Sequence, residues 1–257
     1  MLLTRPCHTP EFLTATKLGV EAHITRYDRL PDWSQYIPFV YGVHLPYAEM
    51  NLAAFDDNLR ADSLKKLKAA LDEGCQYPVD RMVMHSIGIE SIEGEKVGCY
   101  ERMVSGIQKF ADYAASKKII LCIENQVLRQ PEKVSVFGNT ATGWFQIQKD
   151  VNRENVLLTL DSSHAATSVA VYDTFEERSA HIFDFLAYPE LIGRIHWSDS
   201  RLKNNESQFN DMHLIPGEGD LPREFHKMIN KLKVIKTLEQ RRSEKDVLKG
   251  LAFIESL

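Results

Sequence analysis

Six residues of metal-ligating type follow six apolar runs in this 257-residue chain: His44, His85, Glu124, Asp161, His196 and Glu239. They recur at intervals of 35 to 43 residues. Three more stand beside them: His164 in Leu160-Asp161-Ser162-Ser163-His164, and Asp211 and His213 in Asn210-Asp211-Met212-His213. Taken singly, each has an ordinary reading. A histidine after a strand is commonly just hydrogen-bonded, and Asp161 before Ser162-Ser163 suits a helix N-cap. As a set they ask for more, because they include five of the nine histidines. Carboxylates gathered in a low-dielectric mouth repel one another unless protons or cations intervene. A divalent metal is such a cation. Imidazole nitrogen with carboxylate oxygen, and no thiolate, suits Zn2+, Mn2+ or Fe2+. Nine groups exceed what one metal accepts. Two metals sharing a bridging carboxylate, about 3.5–4 Å apart, would use them and would form a clamp suited to phosphoryl chemistry.

For these residues to meet, the elements before them must end at one face. The runs Phe39–Val43, Met82–Met84, Ile119–Ile123, Val156–Leu160, Ile192–Ile195 and Val234–Leu238 are nearly continuous in apolar residues. That is the pattern of strands buried on both faces. Two earlier candidates are Leu2–Arg5 and Val20–Thr25. Between the runs lie amphipathic stretches predicted to be helices: Ala61–Glu73, Val97–Ser116, Thr174–Ala187, Leu221–Leu232 and Ser243–Ser256. Gly74 is placed to cap the first of them. Eight strand–helix units in a chain of this length predict an α/β fold, a (β/α)8 TIM barrel, for which roughly 250 residues is typical. A doubly wound sheet would carry a Gly-rich turn after its first strand. The one close glycine pair is instead Gly217-Glu218-Gly219. With no linker or low-complexity stretch, a single domain over residues 1–257 is expected. In such a barrel every strand's carboxyl end reaches the same rim.

Composition narrows the function classes. Lys and Arg number 31 against 36 Asp and Glu, for a net charge of −5, which argues against a bulk basic nucleic-acid coat. No apolar stretch approaches the roughly 20 residues needed to span a bilayer. Met1–His8 lacks the apolar core of a secretory signal. Cys7, Cys75, Cys99 and Cys122 are scattered without a CxxC pair, as expected of reduced thiols. A cytoplasmic location and a monomer are expected.

The motifs resemble those of the endonuclease IV family of apurinic/apyrimidinic endonucleases, within the xylose-isomerase-like barrel superfamily. The matching segments are His44-Leu45-Pro46-Tyr47, Met84-His85-Ser86, Ile123-Glu124-Asn125, Leu160-Asp161-Ser162-Ser163-His164, Ile195-His196-Trp197-Ser198-Asp199-Ser200, Asp211-Met212-His213 with Gly217-Glu218-Gly219, and Leu238-Glu239. They run in family order over residues 44–239. The resemblance implies up to three zinc ions: one on His44, His85 and Glu124, a second on Glu124, Asp161, His196 and Glu239, a third on His164, Asp211 and His213. It implies hydrolysis of duplex DNA on the 5′ side of an abasic site, with Glu124 acting on the attacking water and Tyr47 pressed into the DNA at the lesion. Cys7-His8-Thr9-Pro10 stands where that family has a Gly-rich turn, and Ala48 replaces a bulky neighbour of Tyr47. Arg201, Lys203, Arg241 and Arg242 are candidate phosphate contacts. Sugar and sugar-phosphate isomerases or epimerases of the same superfamily resemble the chain at Glu124, Asp161, His196 and Glu239. That likeness implies one divalent metal, with two carboxylates moving protons beside a carbonyl.

Overall fold

A computed structural model describes residues 1–24, 33–128, 133–203, 211–240 and 243–257. Eight parallel strands close into a barrel: β1 (Leu2–Thr4), β2 (Gly19–His23), β3 (Val40–His44), β4 (Arg81–His85), β5 (Ile120–Glu124), β6 (Val156–Asp161), β7 (Ile192–Trp197) and β8 (Ile235–Leu238). Each strand pairs with its neighbours in sequence, and β8 closes on β1. This is the (β/α)8 barrel that the strand–helix alternation predicts. Every strand expected from the apolar runs is present. The predicted end of the second, at Thr25, lies outside the described residues.

The helices are α1 (Pro10–Thr16), α2 (Asp57–Gly74), α3 (Tyr100–Ser116), α4 (Ala141–Val151), α5 (Ser162–Ser168), α6 (Phe175–His181), α7 (Arg223–Lys231) and α8 (Glu244–Glu255). Their starts follow local chemistry. Asp56 accepts the Asn58 and Leu59 amides, Thr140 accepts the Gly143 amide, and Thr174 with Glu177 forms a capping box. Their apolar stripes, such as Met103, Ile107, Phe110, Ala111 and Ala114 of α3, are fully buried. Gly74 does not cap α2; it is the last helical residue, and Cys75 follows in ordinary right-handed conformation. A Cβ at Gly74 would lie 2.9 Å from Met82 and 3.1 Å from Val43, so glycine is there to seat the helix on the barrel. The Thr174–Ala187 stretch is α-helical only to His181 and tightens to a 3-10 turn over Ile182–Leu186. Beside the mouth, Ile89–Ile92, Glu95–Lys96 and Val134–Val136 form a small antiparallel sheet that the apolar pattern does not announce.

Register brings the polar strand ends together. His85 pairs with Glu124 across β4 and β5, and Asp161 pairs with His196 across β6 and β7. Trp197 pairs with Leu238, so Glu239 follows at the same level. Thr4 also pairs with Leu238, which sets Arg5 beside Glu239.

Candidate metal centre at the barrel mouth

All nine residues singled out above lie at the carboxyl-end mouth. Glu124 is at the centre and is 1% exposed. Its Oε2 is 3.2 Å from His44 Nε2 and 3.0 Å from His85 Nε2, and its Oε1 is 2.7 Å from His196 Nδ1. His196 Nδ1 is also 3.3 Å from Glu239 Oε2 and 3.8 Å from Asp161 Oδ2. On the β6–β7 side, His213 Nε2 lies 2.9 Å from Asp211 Oδ1, and His164 Nε2 is 3.9 Å from the same oxygen. Among the described residues, three groups have ligand atoms within 4.8 Å of one another: His44, Glu124 and His196; Asp161, His164 and His213; and Glu124, Asp161, His196 and Glu239.

Local bonds aim these side chains. His44 Nδ1 is 2.7 Å from the Leu45 carbonyl, and His164 Nδ1 is 2.8 Å from the Asn125 carbonyl. A proton on each Nδ1 satisfies the carbonyl and leaves Nε2 as the free donor facing the centre, the usual arrangement for a metal-binding histidine. The two readings of Asp161 coexist: its Oδ1 caps α5 through the His164 amide at 2.8 Å, while Oδ2 is buried without an aligned donor. Glu239 Oε2 is likewise unsatisfied. Buried carboxylate oxygens are seldom left so, and the mixed nitrogen and oxygen set fits a borderline or hard divalent cation.

The charges are strongly interdependent. Burial opposes ionisation of Glu124, yet His196 and His85 outweigh it and hold the carboxyl well below its ordinary range. Burial likewise opposes the charge on His196, but Glu124, Glu21 and Glu239 together push its pKa well above the usual value. Asp161 goes the other way, raised by burial and by Glu239. Glu239 is held low against burial by Arg5 and His196. Protons on imidazole and the cations Arg5 and Arg194 therefore offset a dense group of carboxylates.

Glu21 and Arg5 escape the motif reading, and Asn125, inside a matched segment, has a role the motif does not announce. Glu21, on β2, is buried with Oε1 2.9 Å from His196 Nε2, and its Oε2 accepts the Thr237 hydroxyl at 3.1 Å. Arg5 ion-pairs with Glu239. Asn125 ties β5 to β6, accepting the Asp161 amide at 2.7 Å and donating to the Asp161 carbonyl at 3.0 Å. Glu21 shares side-chain parity with His23, the residue that pairs with and stacks on His44. That parity was the available signal.

Tyr47 lies against the site, stacked on His85 with ring centroids 4.1 Å apart and planes 2° from parallel. One face of its ring is thus occupied by a histidine. Arg201 is ion-paired with Asp220 at 2.7 Å. Lys203 is engaged as well, and Arg241 and Arg242 lie outside the described residues.

A family model described as the xylose isomerase-like TIM barrel matches residues 34–257. The chain belongs to this family. A curated relative, an uncharacterized protein of Methanocaldococcus jannaschii, is 24% identical over 194 residues, covering 75% of this chain; the chain spans about 60% of that protein's length. Among solved structures, a D-tagatose 3-epimerase-like protein superposes with a TM-score of 0.71 at 16% identity, over 100% of this chain and 96% of that one. D-psicose 3-epimerase from Clostridium cellulolyticum H10, solved with D-tagatose, gives 0.68 at 15% identity, over 96% and 91%. A Thermus thermophilus protein soaked with zinc chloride gives 0.64 at 19%, over 95% and 90%. At these identities the likeness shows the fold. The broader of the two levels of resemblance read from the sequence, the xylose isomerase-like barrel, is therefore established for this chain. The endonuclease IV branch has no counterpart among these neighbours. Among the described residues, no helix is long and apolar enough to cross a membrane.

Proposed function

We propose that this chain is a divalent-metal isomerase or epimerase acting on a small sugar or sugar phosphate. The observation that carries the reading is the quartet Glu124, Asp161, His196 and Glu239, whose ligand atoms cluster within 4.8 Å. Glu124 ends β5 and Glu239 follows β8, three strands further round the barrel, so two carboxylates approach a bound substrate from different sides. Such a pair can remove a proton beside a carbonyl and return one. A metal held by the quartet supplies Lewis-acid polarisation of the substrate oxygens. Asp161 and His196 hold the geometry, and Arg5 keeps Glu239 ionised and ready to accept a proton. The sugar epimerases among the structural neighbours support this assignment.

A second reading rests on a different observation. His44 and His85 both reach Glu124 Oε2, and His164, Asp211 and His213 form a further group that a one-metal isomerase does not need. With three zinc ions on these residues, the chain would be an endonuclease IV-like phosphodiesterase acting on abasic duplex DNA, with Tyr47 at the lesion. Elemental analysis of purified protein separates the two when read beside a ketose epimerisation panel and an incision assay on a duplex with one abasic site. About one metal per chain with epimerisation is the expected result. Three metals with incision would replace the main reading with the second, and a metal-free protein inert in both assays would sink both.

Glu21 gives a further check on the centre. A buried carboxylate behind a metal-bound imidazole fixes its orientation and raises its basicity. Glu21→Gln is expected to weaken metal binding by about 10–100-fold, measured by competition with a chromophoric chelator. Unchanged affinity would make Glu21 a packing residue only.

A further inference from the structure

We propose that Trp197, His226 and Asp199 form a buried relay that positions the loop carrying Asp211 and His213. The relay itself rests on hydrogen-bond geometry; that Asp211 and His213 also hold a metal belongs to the second reading above. All three relay residues are at most 1% exposed. Trp197 donates its indole N–H to His226 Nδ1 at 2.9 Å. That bond occupies the Nδ1 lone pair and leaves the proton on Nε2, which donates to Asp199 Oδ2 at 3.2 Å. The Asp199 carboxylate then accepts three backbone amides: Gly217 at 2.9 Å on Oδ2, and Ser200 at 2.8 Å and Leu221 at 3.1 Å on Oδ1. Four donors thus converge on one carboxylate, which has the lone pairs to accept them all.

The backbone completes the clamp. Asp199 and Leu214 exchange two hydrogen bonds, at 2.8 and 2.7 Å. Leu214 directly follows His213, which has a φ of +46°, a left-handed conformation that a non-glycine residue holds only when its surroundings impose it. Gly217 has a φ of +90°, and a Cβ on Gly219 would collide with the Asp199 carboxylate. The Gly-Glu-Gly segment is therefore shaped around Asp199. The sequence motif that follows His213 is the far side of the same clamp.

The test uses Asp199→Asn, whose NH2 end turns hydrogens toward the N–H groups on one side of the former carboxylate, and His226→Phe, which removes one donor and keeps a ring. Each variant and the wild type are stripped with EDTA, loaded with Zn2+ and desalted. Zinc per chain and hydrogen exchange at the Gly217 and Leu221 amides are then measured. Exchange at one or both of these amides should rise by about tenfold or more in Asp199→Asn, since at least one hydrogen bond is lost and the other loses its charged acceptor. Where the wild type holds a further ion on Asp211 and His213, as in the second reading, bound zinc should fall by that ion while the quartet's ion stays. His226→Gln, which still offers an N–H, should restore wild-type values. Unchanged exchange overturns the relay, as does faster exchange with unchanged zinc where the wild type holds more than the quartet's ion. If the wild type holds only the quartet's ion, the metal reading of Asp211 and His213 fails by itself. Faster exchange in the variant then still supports the relay, and unchanged exchange still overturns it.

Discussion

Glu124→Gln is expected to reduce turnover by about 10²–10⁴-fold, the range for removing a positioned acid or base, and to empty the quartet of metal. The size of the effect follows from how many groups depend on this one carboxylate. Its two oxygens face His44, His85 and His196 at 3.2, 3.0 and 2.7 Å. The amide has the same shape, so the barrel should fold. It lacks the negative charge that draws a cation into a buried site, and its NH2 end presents hydrogens where a ligand oxygen is needed. The substitution acts whichever substrate is correct, since Glu124 belongs both to the quartet and to the His44 and His85 group. The measurement is kcat with metal content on the same preparation, beside circular dichroism to establish folding. Near-wild-type turnover with full metal content would remove Glu124 from the chemistry.

Much of this centre is legible in the amino-acid sequence, for a geometric reason. A parallel barrel sends every strand's carboxyl end to one rim, so polar residues after apolar runs must converge. His44, His85, Glu124 and Asp161 are the terminal residues of their strands, and register sets His85 beside Glu124 and Asp161 beside His196. What escapes the reading lies within strands or acts at a distance. Glu21 looks like one polar residue in a short apolar strand until the pairing of His23 with His44 shows that the face it shares with His23 meets the site. Asp199 sits within a matched motif, but its purpose depends on His226, Gly217 and Leu221, and nothing local links these to it. Gly74 resembles a helix cap because a contact with Met82 leaves no periodicity. The branch of the family is harder still. The quartet suits proton transfer beside a carbonyl, the full set of nine suits phosphoryl chemistry, and both sets are present at one mouth. Ligand type alone does not separate them; occupancy does.

Metal loading should raise the melting temperature, and the gain should grow with pH. A ligand that binds only the folded state at 100 times its Kd stabilises by about 2.7 kcal/mol. In a chain of this size each kcal/mol shifts the midpoint by about 2–4 °C, so a rise of about 5–11 °C is expected when stripped protein is loaded. The pH dependence comes from the groups that share the site. In the metal-free fold the pKa of His196 is raised by Glu124, Glu21 and Glu239 against burial. Its contribution is fully present below its ordinary value of about 6.5 and is lost as pH rises through the raised one. Asp161, raised by burial and Glu239, also favours the protonated fold, and its benefit fades as pH rises through its raised value. Glu124, held low by His196 and His85 against burial, works in the opposite sense: its contribution is present above about 4.5 and is lost as pH falls through its depressed value. Above about 6.5 the fold keeps a proton on His196 that the unfolded chain releases, so the metal-free protein should weaken as pH rises from neutral, while Glu124 is constant there. Metal takes the place of the protons on His196 and Asp161 and binds better as they leave. Melting curves of stripped and Mn2+- or Zn2+-loaded protein at pH 6, 7 and 8 should therefore diverge with rising pH. Curves that shift equally at all three, or not at all, would mean that the cation does not bind at this cluster of carboxylates and imidazoles.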